Sequence, residues 1–299
     1  MGSHRRGGVA AIRDLVAARL PDHRVHSVVQ VGEGTDNLAY EVNGTLIVRC
    51  SKEPDPAARA ARVDREARLL AAVGGIAPLP VPTPSFTLPE QGCLAYRKLP
   101  GVPMLELPRR QRSAHASSIA ATLGDLLTAL HAAPVEHMAA LVGADDRPPA
   151  QWRREAAQTY ATVAGDVPAA HRRPVEAFLD APPPAGRWAP VFSHNDLGIE
   201  HVLIDPGMGT VTGVLDWSDA AIVDPAIDFG LLYRDLGPAA AHAAMGGYRT
   251  GANELVTLEE RARFYARCSV FEDLAYGLQT GRDRYVDKSL AALAWLFPP

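Results

Sequence analysis

The chain has 299 residues, 47% of them hydrophobic and 21% charged, which is enough for one large or two ordinary domains and argues against an intrinsically disordered protein. Its net charge of −4 argues against nucleic-acid binding, and no apolar run approaches the roughly 18 residues of a membrane span or forms a signal peptide. The three cysteines are far apart in sequence and odd in number, which argues against a disulfide framework or zinc cluster and favours a reducing cytoplasm.

The N-terminal third alternates between short helical and strand patterns. The predicted elements, in chain order, are a helix over Ile12–Leu20, a strand over Val25–Val31, a strand over Thr45–Cys50 after an Asn-Gly turn, and a helix over Pro56–Val73. A turn containing Gly32 and Gly34 follows the first strand, and such turns let backbone N–H groups approach a phosphate. Taken alone, the turn is equally consistent with an ordinary hairpin.

The remainder of the chain is mostly helical in pattern. Residues 93–103 predict a strand that runs into a Pro/Gly break, which is the most plausible hinge. The helices predicted beyond it are Ser113–Ala133, Gln151–Val163, Pro174–Ala181, Ala239–Tyr248, Leu258–Thr280 and Asp283–Leu296. The first carries an apolar stripe at helical spacing that we expect to be buried: Ile119, Leu123, Leu126, Leu127 and Leu130.

Residues 192–216 carry the most informative pattern. Asp196 follows His194 by two residues, and His201 comes five residues later, before two apolar runs that flank a Pro-Gly turn and end at Asp216. Strands joined by such a turn fold back as a hairpin, which brings His201 beside Asp216, with Asp196 on the preceding loop. Two metal ligands and one free carboxylate near one point are what kinase-type phosphoryl transfer requires. The alternative is a surface hairpin with incidental acids.

The motif H-N-D-x-x-x-x-H-x-L-x-D, followed by G-V-L-D-W-S-D-A-A-I-V-D-P-A-I-D-F, resembles the Brenner-type catalytic motif of the antibiotic phosphotransferases. That family includes aminoglycoside and macrolide phosphotransferases and, more distantly, choline kinase and the protein kinases. H-N-D combined with His201 is similar to the aminoglycoside 2''-phosphotransferases, and the macrolide enzymes share the His. The resemblance implies an α+β, bilobal protein-kinase-like fold. A small N-lobe (1–97) with an antiparallel sheet would bind nucleotide, and a mainly helical C-lobe (98–299) would hold the catalytic loop and substrate site.

By this resemblance, Asp196 is the catalytic base, and His201 and Asp216 bind Mg²⁺. A carboxylate suits Mg²⁺, whereas imidazole is a softer ligand than the amide oxygen that most members have at the position of His201. Asp196 need not bind the metal, because it can accept the proton of a substrate hydroxyl or orient that hydroxyl.

The resemblance makes His194 and Asp228 structural supports of the catalytic loop. Asp224 is expected to cap the helix that Pro225 opens, because Asp before Pro is a strong helix-start signal. Asp219 is either an acid behind the metal ligands or a solvated turn residue, and we favour the turn.

Nucleotide binding in this family needs a cation on a strand and an acid on the next helix to orient it. Arg49 and Glu66 fill those positions by order and spacing. The usual cation is Lys, so Arg49 is a departure from the pattern, and Lys52 is the rival candidate. In family terms the turn with Gly32, Gly34 and Thr35 covers the phosphates. The hinge supplies backbone contacts to the purine at Arg97 and Leu99.

A cationic antibiotic is best held by carboxylates, and we single out Asp235, Glu272 and Asp273 on the C-terminal helices. A solvated helix face is the competing interpretation of these acids. The expected function is transfer of the γ-phosphate of ATP or GTP to a hydroxyl of an aminoglycoside-like antibiotic, which confers resistance. The alternatives are a macrolide phosphotransferase, a small-metabolite kinase of the same fold, and a non-catalytic nucleotide-binding pseudokinase.

The expected partners are the antibiotic and the nucleoside triphosphate, with Mg²⁺ as cofactor and no nucleic acid or membrane. We expect a cytoplasmic protein that is a monomer or weak dimer. The sequence does not choose between ATP and GTP or identify the acceptor hydroxyl.

Overall fold

The computed structural model describes residues 8–34, 36–186, 188–248 and 252–299. The chain divides into two compact units, Met1–Pro100 and Gly101–Pro299. The assignment of nucleotide binding to the first unit, and of catalysis and substrate binding to the second, stays a prediction, as does the lobe boundary after residue 97.

A five-stranded antiparallel sheet organises the N-terminal unit. The elements of this unit are α1 (Val9–Arg19), β1 (Val28–Glu33), β2 (Asn37–Val42), β3 (Leu46–Ser51), α2 (Pro56–Gly74), β4 (Pro84–Leu88) and β5 (Cys93–Arg97). The strand order is β1-β2-β3-β5-β4, and each strand is antiparallel to its neighbours. Asn43 and Gly44 lie in the turn between β2 and β3 with φ angles of 53° and 71°, the left-handed conformation that an Asn-Gly pair favours. The connection has three residues, 43–45, because Val42 pairs with Leu46.

One face of this sheet packs against α1. Ile12 and Val16 of α1 are buried in a single apolar cluster with Val48 and Cys50 of β3. Burial alternates along β3, as the two-residue period of a strand requires, so Arg49 lies on the opposite face.

Cys50 and Cys93 form a disulfide, which corrects the sequence analysis. They lie directly opposite each other in the β3–β5 pair, and their Cα atoms are 4.2 Å apart. The expectation of unpaired cysteines is wrong because antiparallel pairing brings residues 43 positions apart into register. Cys268 is buried and free. The cysteines therefore no longer support a reducing compartment.

Helices dominate the C-terminal unit. They are α3 (Arg109–His131), α4 (Val135–Met138), α5 (Pro149–Val163), α6 (Ala169–Asp180), α7 (Ala226–Leu236), α8 (Pro238–Met245), α9 (Ala252–Thr280) and α10 (Asp283–Leu296). The strands are short: β6 (Val102–Pro103), β7 (Val191–Ser193), β8 (Val202–Ile204), β9 (Val211–Val214) and β10 (Ala221–Val223). One sheet has the order β6-β8-β9, and β7 pairs with β10. No helix in the described part of the chain is long and apolar enough to cross a membrane.

The apolar stripe of α3 lies in the core of this unit. The prediction of its burial is confirmed, because each of its five residues is at most 1% exposed: Ile119, Leu123, Leu126, Leu127 and Leu130. Gly124 on the same helix permits close packing against α8, since a Cβ there would lie 2.1 Å from the carbonyl oxygen of Ala244.

The helix start predicted at Pro174 is wrong. The helix begins at Ala169, and Pro174 lies inside it. Prolines are common at the start of a helix. Here the proline at the start is Pro168, which immediately precedes Ala169, and not Pro174. Pro174 removes one hydrogen bond that the helix would otherwise make.

Candidate active site

The loop between β7 and β8 carries Asp196 and is fastened by a buried histidine. His194 is 0% exposed. Its Nε2–H donates to the carbonyl oxygen of Leu215 at 2.9 Å, and its Nδ1 accepts the N–H of Asp196 at 3.3 Å. The ring also packs against Trp217, with ring centres 4.6 Å apart. His194 therefore ties the loop to the end of β9 and orients the backbone of Asp196.

Asp228, in the first turn of α7, holds the start of the same loop. Its carboxylate is 0% exposed and accepts the N–H of His194 at 2.9 Å and the N–H of Asn195 at 2.8 Å. Asn195 has a φ of 66°, a left-handed conformation that is uncommon outside glycine, and these hydrogen bonds stabilise it. These are the contacts that a loop support requires.

Asp224 makes more contacts than a helix cap. It accepts the N–H of Ala226, the first residue of α7, at 3.0 Å. The same carboxylate, only 4% exposed, binds Arg261 Nε at 2.9 Å and the Tyr265 hydroxyl at 3.2 Å. Asp224 therefore joins the start of α7 to α9.

Asp196 and His201 are in direct contact. Asp196 Oδ2 lies 3.0 Å from His201 Nε2, and the Asp196 side chain is 39% exposed. Burial disfavours the charged imidazole, but the carboxylates of Asp196, Glu200 and Asp216 outweigh it and raise the pKa of His201 to about 9. His201 is therefore protonated at neutral pH and donates a hydrogen bond to Asp196.

Asp216 follows β9 and lies beside His201. The N–H of Leu215 donates to the carbonyl oxygen of His201 at 2.8 Å, so the hairpin brings the two segments together. Asp216 has a φ of 58°, and its carboxylate accepts the hydroxyl of Ser218. The structure thus places residues 196, 201 and 216 at one location, although their catalytic roles stay predictions.

Asp219 also belongs to this location. Its side chain is exposed, yet its pKa is raised by partial desolvation and then by the charges of Asp196 and Asp216. Its backbone carbonyl accepts the side-chain N–H of Asn195 at 3.0 Å. Asp219 is therefore exposed, as a turn residue is, and lies near enough to Asp196 and Asp216 for their charges to raise its pKa.

The side chains present fit a divalent cation through their carboxylates. Mg²⁺ prefers carboxylate oxygens, which Asp216 can supply, whereas His201 Nε2 is engaged by Asp196. In the described ranges, no group of three or more His, Cys, Asp or Glu side chains is arranged to hold a metal ion. In kinases the phosphates of the nucleotide also bind the Mg²⁺ ion, so the protein needs to supply fewer ligands. Mg²⁺ and its two ligands, His201 and Asp216, stay predictions.

In the N-terminal unit, Arg49 on β3 pairs with Glu66 on α2. Arg49 Nη1 lies 3.0 Å from Glu66 Oε1, and the two side chains are 13% and 15% exposed. Lys52, the rival cation, instead contacts Glu33 at 2.7 Å and the carbonyl oxygen of Gly34 at 2.8 Å. The predicted pairing of strand cation and helix acid is thus made by Arg49.

The glycine turn joins β1 to β2. Gly34 N–H donates to the carbonyl oxygen of Asn37 at 3.0 Å, and Gly32 follows an irregularity in the β1–β2 register. Thr35, predicted at the tip, lies outside the described residues. The hinge residues are Arg97, which ends β5 opposite Leu46, and the half-buried Leu99. Contacts of these residues with nucleotide stay predictions.

Two of the three predicted substrate carboxylates already pair with cations of the chain itself. Asp235 lies 2.7 Å from Arg234 Nε, and Asp273 lies 2.9 Å from both Arg234 and Lys288. Glu272 is exposed. Substrate binding by the three acids stays a prediction, and Glu272 is the one of the three whose side chain is exposed.

Arg234 and Lys288 are structural residues that the sequence analysis missed. Each is 4% exposed, and Lys288 Nζ also lies 2.6 Å from Glu200 on the catalytic loop. Lysine is almost never fully buried unless it is paired. The sequence signal was weak: Arg234 follows the apolar run 229–233, but nothing local identifies its partners.

Comparison with known proteins shows the same fold in two kinds of antibiotic phosphotransferase. Wild-type aminoglycoside 2'-phosphotransferase-IIIa, in complex with GDP, is similar with a TM-score of 0.67 and 22% identity, over 96% of this chain and 97% of that chain. The macrolide 2'-phosphotransferase MphH from Brachybacterium faecium is similar with a TM-score of 0.58 and 27% identity, over 97% and 98%. The predicted α+β, kinase-like fold is confirmed.

The sequence matches agree with the fold. The uncharacterized protein YcbJ of Bacillus subtilis (strain 168) is 32% identical over 101 residues, so the match spans 33% of this chain and about a third of YcbJ. Residues 27–265, which include the Arg49–Glu66 pair and the whole catalytic loop, match the phosphotransferase enzyme family. This chain therefore belongs to the phosphotransferase enzyme family.

Proposed function

We propose that this phosphotransferase moves the γ-phosphate of ATP or GTP to a hydroxyl of an aminoglycoside-like cationic antibiotic and thereby confers resistance. The observation that carries the proposal is the setting of Asp196. Its half-exposed carboxylate stands on a loop fixed by the buried His194 and Asp228, beside His201 and Asp216. The similar structure of aminoglycoside 2'-phosphotransferase-IIIa contains GDP. It supports a nucleotide as phosphate donor and an aminoglycoside as acceptor.

In the proposed mechanism, Asp196 accepts the proton of the acceptor hydroxyl or orients that hydroxyl for in-line attack. The hydrogen bond from His201 at 3.0 Å keeps the carboxylate in one orientation. Mg²⁺, when bound, would neutralise charge on the phosphate oxygens. Asp216 would hold it, and His201 would join as a ligand only after it releases its proton and its hydrogen bond to Asp196. Exposure of Asp196 leaves its carboxylate accessible to a substrate.

Nucleotide binding is proposed for the N-terminal unit. Arg49 would contact the α- and β-phosphates, and Glu66 would orient its guanidinium. The planar guanidinium of arginine can donate two parallel hydrogen bonds to a phosphate, whereas the ammonium of lysine acts as a point charge. The contact of Arg49 with phosphate would therefore be bidentate. The proposed backbone contacts come from the glycine turn and hinge: Gly32, Gly34, Thr35, Arg97 and Leu99.

A macrolide phosphotransferase is the second candidate, and one observation favours it. Asp235 and Asp273 are occupied by Arg234 and Lys288, which leaves fewer carboxylates for a substrate with several ammonium groups. A macrolide needs one acid for its amino sugar, and the exposed Glu272 could supply it. The similarity to a macrolide phosphotransferase supports the same candidate.

The test is a nucleotide-consumption assay with ATP and GTP against aminoglycosides, macrolides and small hydroxylated metabolites, with mass spectrometry of the products. We expect a phosphorylated aminoglycoside. A phosphorylated macrolide or metabolite alone would move the assignment to that alternative. Stabilisation by nucleotide, without transfer to any acceptor, would identify a non-catalytic nucleotide-binding protein. A cytoplasmic location is proposed because nucleoside triphosphates are available there.

A further inference from the structure

Helix α7 carries two buried carboxylates that both bind the backbone of the catalytic loop. Asp228 accepts the N–H groups of His194 and Asn195 at 2.9 and 2.8 Å. Asp235 Oδ2 accepts the N–H of Ile199 at 3.1 Å. Residues seven apart lie on one face of a helix, so α7 binds the loop both before and after Asp196.

Two cations in turn fix Asp235. Arg234 donates to its two oxygens from Nε at 2.7 Å and Nη2 at 2.9 Å, and Lys288 Nζ lies 3.3 Å away. Burial would raise the pKa of Asp235, but the charges of Arg234 and Lys288 outweigh burial and lower it, so the group is ionised. A charged acceptor makes a stronger hydrogen bond to the Ile199 amide than a neutral one.

Lys288 binds the loop a second time. Its Nζ lies 2.6 Å from Glu200 Oε2, and Glu200 is the residue between Ile199 and His201. A single ammonium group of α10 therefore contacts the carboxylate of α7 and the side chain of the loop. Ile199 is also fixed from its other side, because its carbonyl oxygen accepts the N–H of Leu105 at 3.1 Å.

We propose that Asp235 and Lys288 are positioning residues for Asp196, and that neither Asp235 nor Asp273 binds substrate, because Arg234 and Lys288 engage both carboxylates. They anchor the loop after Asp196 as Asp228 anchors it before Asp196. The inference rests on the proposed function, in which Asp196 is the base. In phosphoryl transfer, catalysis depends mainly on positioning, so a loosened anchor lowers kcat more than it changes nucleotide or acceptor binding.

Asp273 provides a matched control. The cluster has three carboxyl groups (Glu200, Asp235 and Asp273) and two cations (Arg234 and Lys288), so removal of either aspartate leaves two carboxyl groups with the same two cations. Asp273 pairs with the two cations at 2.9 Å, whereas Asp235 binds them and the loop amide. The two substitutions each remove one carboxyl group from the same pair of cations, and only Asp235→Ala also removes the acceptor of the loop amide.

The experiment compares Asp235→Ala with Asp273→Ala by steady-state kinetics and by hydrogen exchange of the Ile199 amide. For Asp235→Ala we expect kcat to fall by about 10- to 100-fold at nearly constant KM for nucleotide and acceptor, with faster Ile199 exchange. Asp273→Ala should keep kcat within about threefold and leave Ile199 protected. Asp235→Asn, which retains an acceptor oxygen, should recover part of the loss.

Equal loss of kcat in both alanine variants, or unchanged Ile199 exchange in Asp235→Ala, would overturn the assignment. If Asp235→Ala does not fold, Asp235→Asn is compared with Asp273→Asn, and Ile199 should still exchange faster in Asp235→Asn, by a smaller factor, because a neutral acceptor binds the amide more weakly. If the parent enzyme transfers phosphate to no acceptor, the proposed function fails. The exchange measurement still decides whether Asp235 anchors the loop.

Discussion

His201 is the side chain that most directly affects what Asp196 can do. It donates a hydrogen bond to Asp196 at 3.0 Å, and it is also a predicted metal ligand. A metal ion and the Asp196 carboxylate therefore compete for the same imidazole nitrogen. An amide side chain at this position would instead offer a hard oxygen to the metal.

This competition predicts different outcomes for two substitutions. His201→Asn should keep kcat within about tenfold of the parent because its amide oxygen can replace the imidazole as a ligand. His201→Ala should lose about 100-fold because it removes one electrostatic contact in the site. Both are measured as kcat over a Mg²⁺ titration. Equal activity of the two variants would show that residue 201 does not act through the metal.

Arg49 is the residue that we propose contacts the phosphates of the nucleotide. It forms an ion pair with Glu66 at 3.0 Å and is only 13% exposed. Arg49→Met should raise the KM for nucleotide by at least about tenfold, because it removes a charged hydrogen-bond donor from the phosphates. Arg19→Met is the control, since Arg19 is 51% exposed and pairs with Glu90 in the same unit. If both variants bind nucleotide like the parent, Arg49 is not the phosphate cation.

At the scale of elements, the disulfide links β3, which carries Arg49, to β5. It closes a loop with a sequence separation of 43, for which the stabilisation is about 2–4 kcal/mol. We predict one titratable thiol per chain, Cys268, in the denatured and unreduced protein. Reduction should expose three thiols and lower the melting temperature. Three thiols before reduction would contradict the Cys50–Cys93 pair.

The packing of α3 on α8 gives a prediction about stability. Gly124→Ala should destabilise the protein by about 1–3 kcal/mol, because the added Cβ meets a backbone carbonyl of α8 that cannot move freely. Gly165→Ala is the control, since a Cβ there meets nothing within 4 Å. The measurement is the midpoint of urea unfolding. Equal midpoints for the two variants would mean that α8 shifts at little cost.

Elements with a strong local signal could be predicted from the sequence, and long-range pairings could not. Helix α10 has the predicted bounds Asp283–Leu296, and the Asn-Gly turn joins β2 to β3 as expected. The Cys50–Cys93 pair and the ion pairs of Lys288 depend on which elements become neighbours, and no short window of sequence contains that information. The start of helix α6 could not be predicted either, because the sequence offers two prolines, Pro168 and Pro174, that could each mark a helix start.

The same limit applies within the candidate site. Residues 194–216 could be placed together because a hairpin and a short loop connect them. Asp235 was assigned to substrate because it is an acid on a C-terminal helix. Its spacing of seven residues from Asp228 was a readable signal for a shared helix face, but the cations that surround it come from distant positions.

For the whole molecule, the net charge of −4 does not select a cationic substrate. Several carboxylates are internal: Asp224, Asp228 and Asp235 are buried and paired with cations or amides of the chain. We therefore expect selection of the acceptor to depend on the acids that remain exposed, such as Glu272. Net charge is a guide to solubility and association, and the specificity of this enzyme depends on a few local groups.

The most direct test of the central claim follows the γ-phosphate from labelled ATP or GTP to an aminoglycoside, with the parent enzyme and with Asp196→Asn. We expect labelled antibiotic from the parent and a loss of about 100-fold or more in kcat for the variant, because the base is removed. Asp146→Asn, an exposed carboxylate in the same unit, should match the parent. Transfer by Asp196→Asn within about tenfold of the parent would contradict the role of Asp196 as the catalytic base.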